Sequence, residues 1–251
     1  MTKYLFSIVF LFVTSTANAG TIYIGDSGRN IYSLDTASFS ATLMGQTSST
    51  MTDLAVDSFG NLWGSSFSSL YSLSSSAADT NIGDFGWSGM NALTFGLGNT
   101  LYGAGTGSTD LFSINTGTGN ASVIGNTGYS SSGDLEFDNS GTLYLAANTG
   151  SFDSLYNAGT GSFIGSFGIN DAYGLAFTDN TMYGFSGQKI FTVNTGTGAI
   201  SNMQDISGMV AGTQIWGAAA NNAPVPEPAT MLLFGTGLVG MFGRKVFRRK
   251  N

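Results

Sequence analysis

The strongest constraint on the fold is an internal repeat with a period of about forty residues. Each copy contains an alternating apolar strand, a turn rich in Gly, Asn and Asp, and a second strand with an aromatic residue near its middle. Alternation combined with such turns is the signature of β-hairpins. A third and a fourth strand follow, so the repeat unit is predicted to be a four-stranded antiparallel sheet. The leading hairpins occupy 53–66, 92–105, 134–147 and 174–186.

The two ends of the repeat region are complementary. The chain enters at a second-strand equivalent starting at Thr21, whereas the segment from Trp216 aligns with a first strand. The C-terminal strand therefore supplies what the N-terminal sheet lacks, which is how a β-propeller closes its ring without exposed edges. We predict an all-β fold over 20–222, a five-bladed β-propeller of four-stranded blades with one-plus-three closure. The predicted blades are 214–220 with 21–45, 51–86, 90–126, 132–168 and 171–207.

A six-bladed ring and an open β-solenoid with accidentally matching ends remain alternatives. The anchors of the first strands favour a regular ring, because successive anchors are 39, 42, 40 and 43 residues apart. This spacing resembles NHL, PQQ-like and related propeller repeats, with no motif specific to one of those families. The anchors are Leu54, Leu93, Leu135, Leu175 and Ala218.

Composition excludes several kinds of chemistry. The 251 residues include no Cys and no His, so disulfides and Ser-His-Asp or Cys-His catalysis are impossible. Between Gly20 and Pro226, two basic residues stand against fourteen acidic ones, which gives a net charge of −12. Such a surface repels phosphate backbones, and nucleic acid is therefore not expected as a partner.

The N-terminal segment has the features of a secretory signal peptide. One positive charge precedes an apolar run from Tyr4 to Val13, and an A-x-A-like site follows at Ala17 and Ala19. A buried strand or helix of the fold is the alternative. We predict that 1–19 is a signal peptide, cleaved after Ala19 during export.

The C-terminal segment, 223–251, contains all three prolines and an uncharged stretch of fifteen residues from Ala229 to Gly243. Such a stretch forms a helix of about 22 Å, which becomes a marginal membrane span when Val246 and Phe247 are added and basic side chains snorkel. We predict a single transmembrane helix with a cytoplasmic basic end, and a buried core helix is the alternative. The predicted stop-transfer residues are Arg244, Lys245, Arg248, Arg249 and Lys250.

A Pro-Glu-Pro motif stands between the repeat region and this apolar run, at Pro226, Glu227 and Pro228. Motif, apolar run and basic tail in this order resemble the PEP-CTERM sorting signal of Gram-negative bacteria. The resemblance implies that an exosortase, a membrane-embedded cysteine transpeptidase-like enzyme, recognises the three residues and processes the protein nearby. It also implies inner-membrane anchoring during sorting, followed by the cell surface or the extracellular space. Proline fixes φ, so the motif stays extended and outside the helix.

Candidate ligand-binding residues are few. Asp57 and Asp138 lie in hairpin turns that lack the ligand pattern of an EF-hand, so we interpret them as turn residues. Trp87 and Tyr129 lie in connecting loops outside the repeat pattern and are the predicted candidates for ligand contact. The aromatic residues at repeat-equivalent positions are predicted to pack between blades. These are Tyr23, Trp63, Tyr102, Tyr144, Tyr183 and Trp216.

Four acidic residues lie at or in the first strands. Asp53, Asp134 and Asp171 stand at the strand mouths, where carboxylates gathered in a central channel could act as glycosidase acid and base or hold a metal. We favour the interpretation that they cap turns and keep the surface soluble, because the other blades have no acid there. Glu136 lies inside a strand, and alternation predicts that it faces outward.

These observations predict an exported, non-enzymatic binding or structural protein of the cell surface or extracellular matrix, with no cofactor and no metal. The predicted partners are an exosortase-type enzyme, the membrane through the C-terminal helix, and a polysaccharide. The alternative is a secreted hydrolase or lyase that uses channel carboxylates.

Overall fold

A computed structural model describes residues 20–220, apart from Leu97 and Thr149. This part of the chain consists of twenty β-strands joined by turns and contains no helix. In chain order the strands are β1 Thr21–Asp26, β2 Asn30–Asp35, β3 Ala41–Gln46, β4 Asp53–Val56, β5 Leu62–Ser65, β6 Ser69–Leu73, β7 Asp79–Asp84, β8 Met90–Phe95, β9 Leu101–Gly105 and β10 Asp110–Ile114. The second ten are β11 Ala121–Asn126, β12 Ser131–Phe137, β13 Leu143–Asn148, β14 Asp153–Asn157, β15 Ser162–Ser166, β16 Ala172–Thr178, β17 Thr181–Ser186, β18 Lys189–Val193, β19 Ile200–Asp205 and β20 Ile215–Ala220.

The predicted signal peptide, 1–19, and the predicted sorting and anchor segment, 223–251, lie outside the described residues. Within 20–220, nothing offers a helix of the length and apolarity that a membrane span needs.

The strands form five four-stranded antiparallel sheets, which are the blades of a propeller. Blade 1 has the order β20-β1-β2-β3, and blades 2 to 5 are β4–β7, β8–β11, β12–β15 and β16–β19. The innermost strands of the five blades contact one another in a closed ring. The predicted five-bladed propeller is therefore confirmed.

Blade 1 joins the two ends of the repeat region. β20 pairs antiparallel with β1, so that Ile22 lies opposite Ala220 and Ile24 opposite Ala218. This pairing confirms the predicted one-plus-three closure. It also hides an inner strand edge that would otherwise be open to other chains.

The hydrophobic core lies between the blades. Aromatic residues of the second strands pack against the following blade, as predicted: Trp63 contacts Phe95 with ring centroids 6.1 Å apart, and Tyr102 contacts Phe137 at 5.3 Å. Tyr23 of blade 1 packs against the core cluster that contains Leu54 of blade 2. Because each sheet is covered on both faces, its inner strands are buried almost throughout.

The outermost strand of every blade carries a register shift where it pairs with the third strand. Bulges twist an edge strand and discourage pairing with another chain. In blade 4 the bulge lies against the glycine-rich turn of blade 5, where a Cβ on Gly198 would lie 2.5 Å from the carbonyl oxygen of Gly165. This close approach explains the glycine at that turn.

Candidate functional site

Two aspartates meet at the axis of the ring, one from the innermost strand of blade 2 and one from the innermost strand of blade 4. Asp53 of β4 accepts hydrogen bonds from the backbone N–H groups of Leu54 at 2.7 Å and Leu93 at 2.6 Å. Asp134 of β12 accepts from Leu135 at 2.6 Å and from the N–H of Leu175. Each carboxyl group thus ties its own blade to the next one. We call these two residues the channel pair.

The two carboxyl groups of the channel pair also lie within hydrogen-bonding reach of each other. Burial raises the pKa of both groups well above the ordinary value for Asp, and the charge of Glu136 raises the pKa of Asp53 further. Two buried carboxyl groups in contact cannot both ionise at low cost, so a proton is held between them.

The structure corrects the predicted surface role of the channel pair. Asp53 and Asp134 are both 0% exposed, so they neither cap surface turns nor contribute to solubility. Space for Asp53 comes from Gly217 of the neighbouring inner strand, where a Cβ would lie 2.6 Å from Oδ1 of Asp53. The prediction that Glu136 faces outward is also wrong. This side chain is 4% exposed, because β12 is packed on both faces and alternation does not separate inside from outside.

The hairpin aspartates behave as predicted. Asp57 accepts hydrogen bonds from the N–H groups of Phe59 and Asn61, and Asp138 accepts from Ser140 and Thr142. Burial raises the pKa of each carboxyl, but the hydrogen bonds together outweigh burial and leave the pKa below its ordinary value. Both residues stabilise turns.

A second acidic site opens at the end of the ring where the first and third strands of each blade begin, here called the upper face. It is a cavity of about 230 Å³ between blades 3, 4 and 5. We call it the upper cleft. Every residue that lines it carries a polar side-chain group, and these residues are Thr106, Ser130, Ser131, Ser132, Asn148, Asp153, Asp171 and Tyr173.

Asp153, the first residue of β14, is the central acid of the upper cleft. It is 1% exposed. Oδ2 accepts a hydrogen bond from the N–H of Ala172 at 2.8 Å, whereas Oδ1 makes no hydrogen bond of normal length. Burial raises the pKa of this carboxyl, while the Ala172 N–H and longer hydrogen-bonding contacts with the side chains of Asn148 and Ser132 lower it in part. The hydroxyl groups of Ser131 and Ser132 are also buried without a partner.

Asp171 and Tyr173 form the blade 5 side of the cleft. The phenol of Tyr173 donates a 2.6 Å hydrogen bond to Oδ1 of Asp171. This bond, together with burial, raises the pKa of Tyr173 to about 12. Asp171 is exposed and has a positive φ of 59°, a conformation that Asp tolerates better than most residues. Asp171 therefore lies apart from the channel pair, with which the sequence grouped it.

The upper cleft exists because blade 4 departs from the repeat. The equivalent positions in the first strands of blades 3, 4 and 5 are Met90, Ser131 and Ala172. Each pairs with the second strand of its own blade, at Gly105, Ala147 and Ser186 respectively. Met90 and Ala172 are fully buried apolar residues, so blade 4 places a hydroxyl group where its neighbours bury hydrocarbon. The first strands of blades 3, 4 and 5 all have a register shift here, but the stretch from Ser131 to Leu135 in β12 is one residue longer than its equivalents in the two neighbouring blades. Bulges of this kind re-aim side chains and are frequent beside functional sites.

The two predicted ligand contacts, Trp87 and Tyr129, lie in upper-face loops and are half-buried. Trp87 stacks on Phe112 with ring centroids 5.1 Å apart, and Tyr129 packs on Tyr156 at 4.0 Å. Neither residue lines the upper cleft, although Tyr129 precedes Ser130, which does. Their role in ligand contact stays a prediction. Across the described residues, no cluster of three or more Asp or Glu side chains is arranged to hold a metal ion.

The match to a known protein family lies at the C-terminal end of the chain. Residues 224–250 match the model of the PEP-CTERM protein-sorting motif. The chain carries a PEP-CTERM motif. The PEP-CTERM motif implies an exported protein that is sorted through the membrane and processed by an exosortase-type enzyme. It contains the predicted recognition residues Pro226, Glu227 and Pro228.

The PEP-CTERM match lies outside the propeller, whose fold is similar to that of solved structures. A protein of unknown function from Bacteroides caccae is 12% identical, with 74% of this chain and 73% of that chain covered and a TM-score of 0.45. A chain in the crystal structure of a nidogen/laminin complex is 10% identical, with 80% and 85% covered and a TM-score of 0.53. At this identity the second likeness shows the fold alone. No curated protein matches the sequence.

Proposed function

We propose that this protein is a non-enzymatic binding protein that acts outside the cell, at the cell surface or in the extracellular matrix, and that its partner is a polysaccharide. The observation that carries the proposal is the upper cleft. There, a buried carboxylate oxygen of Asp153 and the buried hydroxyl groups of Ser131 and Ser132 make no hydrogen bond of normal length within the protein. Buried polar groups nearly always pair with protein or ordered water, so three such groups in one open cavity favour a site where the hydroxyl groups of a ligand replace water.

The burial and hydrogen bonding of the channel pair argue against a catalytic role for Asp53 and Asp134. A hydrolase or lyase that used Asp53 and Asp134 would need a substrate bond within hydrogen-bonding reach of both carboxyl groups. Both groups are fully buried, and all four of their oxygens accept backbone hydrogen bonds. Their geometry suits a clamp between blades better than an acid and a base.

The test is to incubate the exported protein, purified from its host, with neutral and acidic polysaccharides. We expect retention by a polysaccharide in affinity electrophoresis, with no new reducing ends and no unsaturated products. The Asp53→Asn variant serves as the catalytic control and should bind as the wild type does. Product release that disappears in this variant would instead establish the hydrolase or lyase.

A further inference from the structure

Four buried side-chain atoms in the described part of the chain make no hydrogen bond of normal length, and three of them belong to residues that line one cavity. They are Oδ1 of Asp153, Oγ of Ser131 and Oγ of Ser132, the last in a longer contact with Asp153, and the fourth, Oδ1 of Asn91, belongs to a residue outside the lining. Asp153 and Ser131 are 1% and 3% exposed, so neither is solvated as a surface group would be. Each such atom costs free energy unless something in the cleft pairs with it.

The size of the upper cleft narrows the range of ligands. Its volume of about 230 Å³ corresponds to about eight water molecules at ~30 Å³ each. A bare Ca²⁺ ion needs six to eight oxygen ligands converging at about 2.3–2.6 Å, which requires a much tighter arrangement. The cleft instead matches one sugar ring with its hydroxyl groups, and a longer oligosaccharide would have to extend out of it.

The negative charge of the cleft narrows the range of possible ligands further. Two carboxyl groups, Asp153 and Asp171, line it, and no Lys or Arg does. Arg29 and Lys189, the basic residues of the described chain, belong to other positions of the ring. Phosphate, sulfate and uronate groups would therefore be repelled. A carboxylate accepts hydrogen bonds only, whereas a serine hydroxyl both donates and accepts, so the lining complements a neutral ligand with neighbouring hydroxyl groups.

We propose that the upper cleft binds one neutral sugar residue of a polysaccharide, with a sugar hydroxyl donating to Oδ1 of Asp153 and a neighbouring hydroxyl bonding to Ser131 and Ser132. Tyr173 forms one side of the site, since its hydrogen bond to Asp171 fixes the amphipathic ring at the edge of the cavity. This assignment rests on the proposed function, for which it names the residues and the class of ligand.

The decisive variant is Asp153→Asn. Its amide oxygen can still accept from the N–H of Ala172, which leaves an NH₂ donor where Oδ1 faced the cleft. The shape is kept and the hydrogen-bonding polarity is reversed. The matched control is Asp110→Asn, because Asp110 begins β10 as Asp153 begins β14, but Asp110 accepts a bond from Ser108 and does not line the cleft.

The experiment uses the exported protein and, as probes, a neutral glucan, a neutral galactan, alginate as a uronate polymer, glucosamine and CaCl₂. We expect wild type and Asp110→Asn to bind a neutral polymer equally, and Asp153→Asn to bind it about tenfold to a hundredfold more weakly. Thermal unfolding checks that the variant is folded.

Each other outcome overturns a distinct step. Equal binding of a neutral polymer by wild type and Asp153→Asn removes the cleft assignment, while the binding itself supports the proposed function and moves its site elsewhere on the propeller. Preference for alginate or glucosamine contradicts a neutral ligand, and a Ca²⁺-dependent rise in melting temperature that Asp153→Asn abolishes would make the cleft a cation site. If no polymer binds wild type, both the cleft assignment and the proposed function fail.

Discussion

The channel pair and the upper cleft are two acidic sites built from the same kind of residue in the same ring, yet they differ in how their oxygens are used. In the channel pair, every carboxylate oxygen accepts a backbone N–H, and the two carboxyl groups face each other. In the cleft, Asp153 bonds one backbone N–H with Oδ2, while Oδ1 makes no hydrogen bond of normal length. A buried acid with all its oxygens paired belongs to the architecture, whereas a buried acid with one oxygen unpaired is available for binding.

The largest expected effect comes from removing one member of the channel pair. Asp53→Ala leaves the N–H groups of Leu54 and Leu93 without an acceptor and removes the hydrogen bond that joins blades 2 and 3 at the axis. We expect the free energy of unfolding to fall by about 3–5 kcal/mol. Asp153→Ala leaves only the N–H of Ala172 without an acceptor, and we expect the free energy of unfolding to fall by about 1–2 kcal/mol. Urea denaturation followed by tryptophan fluorescence measures both variants, and equal losses would contradict the distinction between the two sites.

The next effect is a pH dependence that belongs mainly to the channel pair. Because burial raises the pKa of Asp53 and Asp134, the folded protein keeps a proton that the unfolded chain releases above its ordinary pKa of about 3.9. The free energy of unfolding should therefore fall as pH rises from about 4, by up to ~1.4 kcal/mol per pH unit for each proton kept, until the folded pKa is passed.

Asp134→Asn removes one titrating group from the pair and should flatten this slope. Asp153→Asn should flatten it less, since Asp153 has a smaller upward shift in pKa. Below about pH 3.9 the trend reverses, because the lowered pKa values of Asp57 and Asp138 make their stabilisation disappear as those carboxyl groups are protonated. Urea midpoints between pH 3 and 8 test all of this, and a wild-type stability that rises steadily with pH would refute the shared proton.

The smallest effect is expected at Ser131, and its sign is informative. Ser131→Ala gives blade 4 the apolar residue that blade 5 has at Ala172, and it removes a buried hydroxyl without a partner. We expect the free energy of unfolding to rise by about 0.5–1 kcal/mol while polysaccharide binding weakens. Thermal unfolding and affinity electrophoresis on one preparation give both values. A variant that is less stable than wild type would indicate a structural serine.

The repeat was sufficient to predict the architecture, because each copy encodes the same hairpins and turns. Five blades, their approximate limits and the closing strand follow from the spacing of Leu54, Leu93, Leu135, Leu175 and Ala218. The same periodicity correctly assigned Trp63 and Tyr102 to the contacts between blades.

The distance of each acid from its strand anchor distinguishes Asp171 from Asp53 and Asp134, although the sequence interpretation placed all three in one group. Asp53 and Asp134 stand one residue before their anchors, whereas Asp171 stands four residues before Leu175. Asp171 therefore reaches the rim and the channel pair reaches the axis. The burial of Glu136 could not follow from alternation, because both faces of an inner propeller strand are covered.

The upper cleft was beyond prediction from the sequence for a different reason. It depends on a stretch from Ser131 to Leu135 that is one residue longer than its equivalents in blades 3 and 5, and on the convergence of side chains from three successive blades. The available signal was the polar pair Ser131 and Ser132, at a strand mouth where blades 3 and 5 have Met90 and Ala172. That these two serines line a cavity can be inferred only once the strand register is known.

The closing strand also determines how the molecule would carry mechanical load. β20 begins at the upper face and ends at Ala220, on the opposite side of the ring from the cleft, with Ile22 of β1 beside it. Tension applied through residue 221 pulls β20 along its own axis, so its ladder with β1 is loaded in shear, with all its hydrogen bonds sharing the force. If the cleft binds a polymer as proposed, a protein held from that side would present the cleft outward and resist tension on the polymer through the strand that completes its ring.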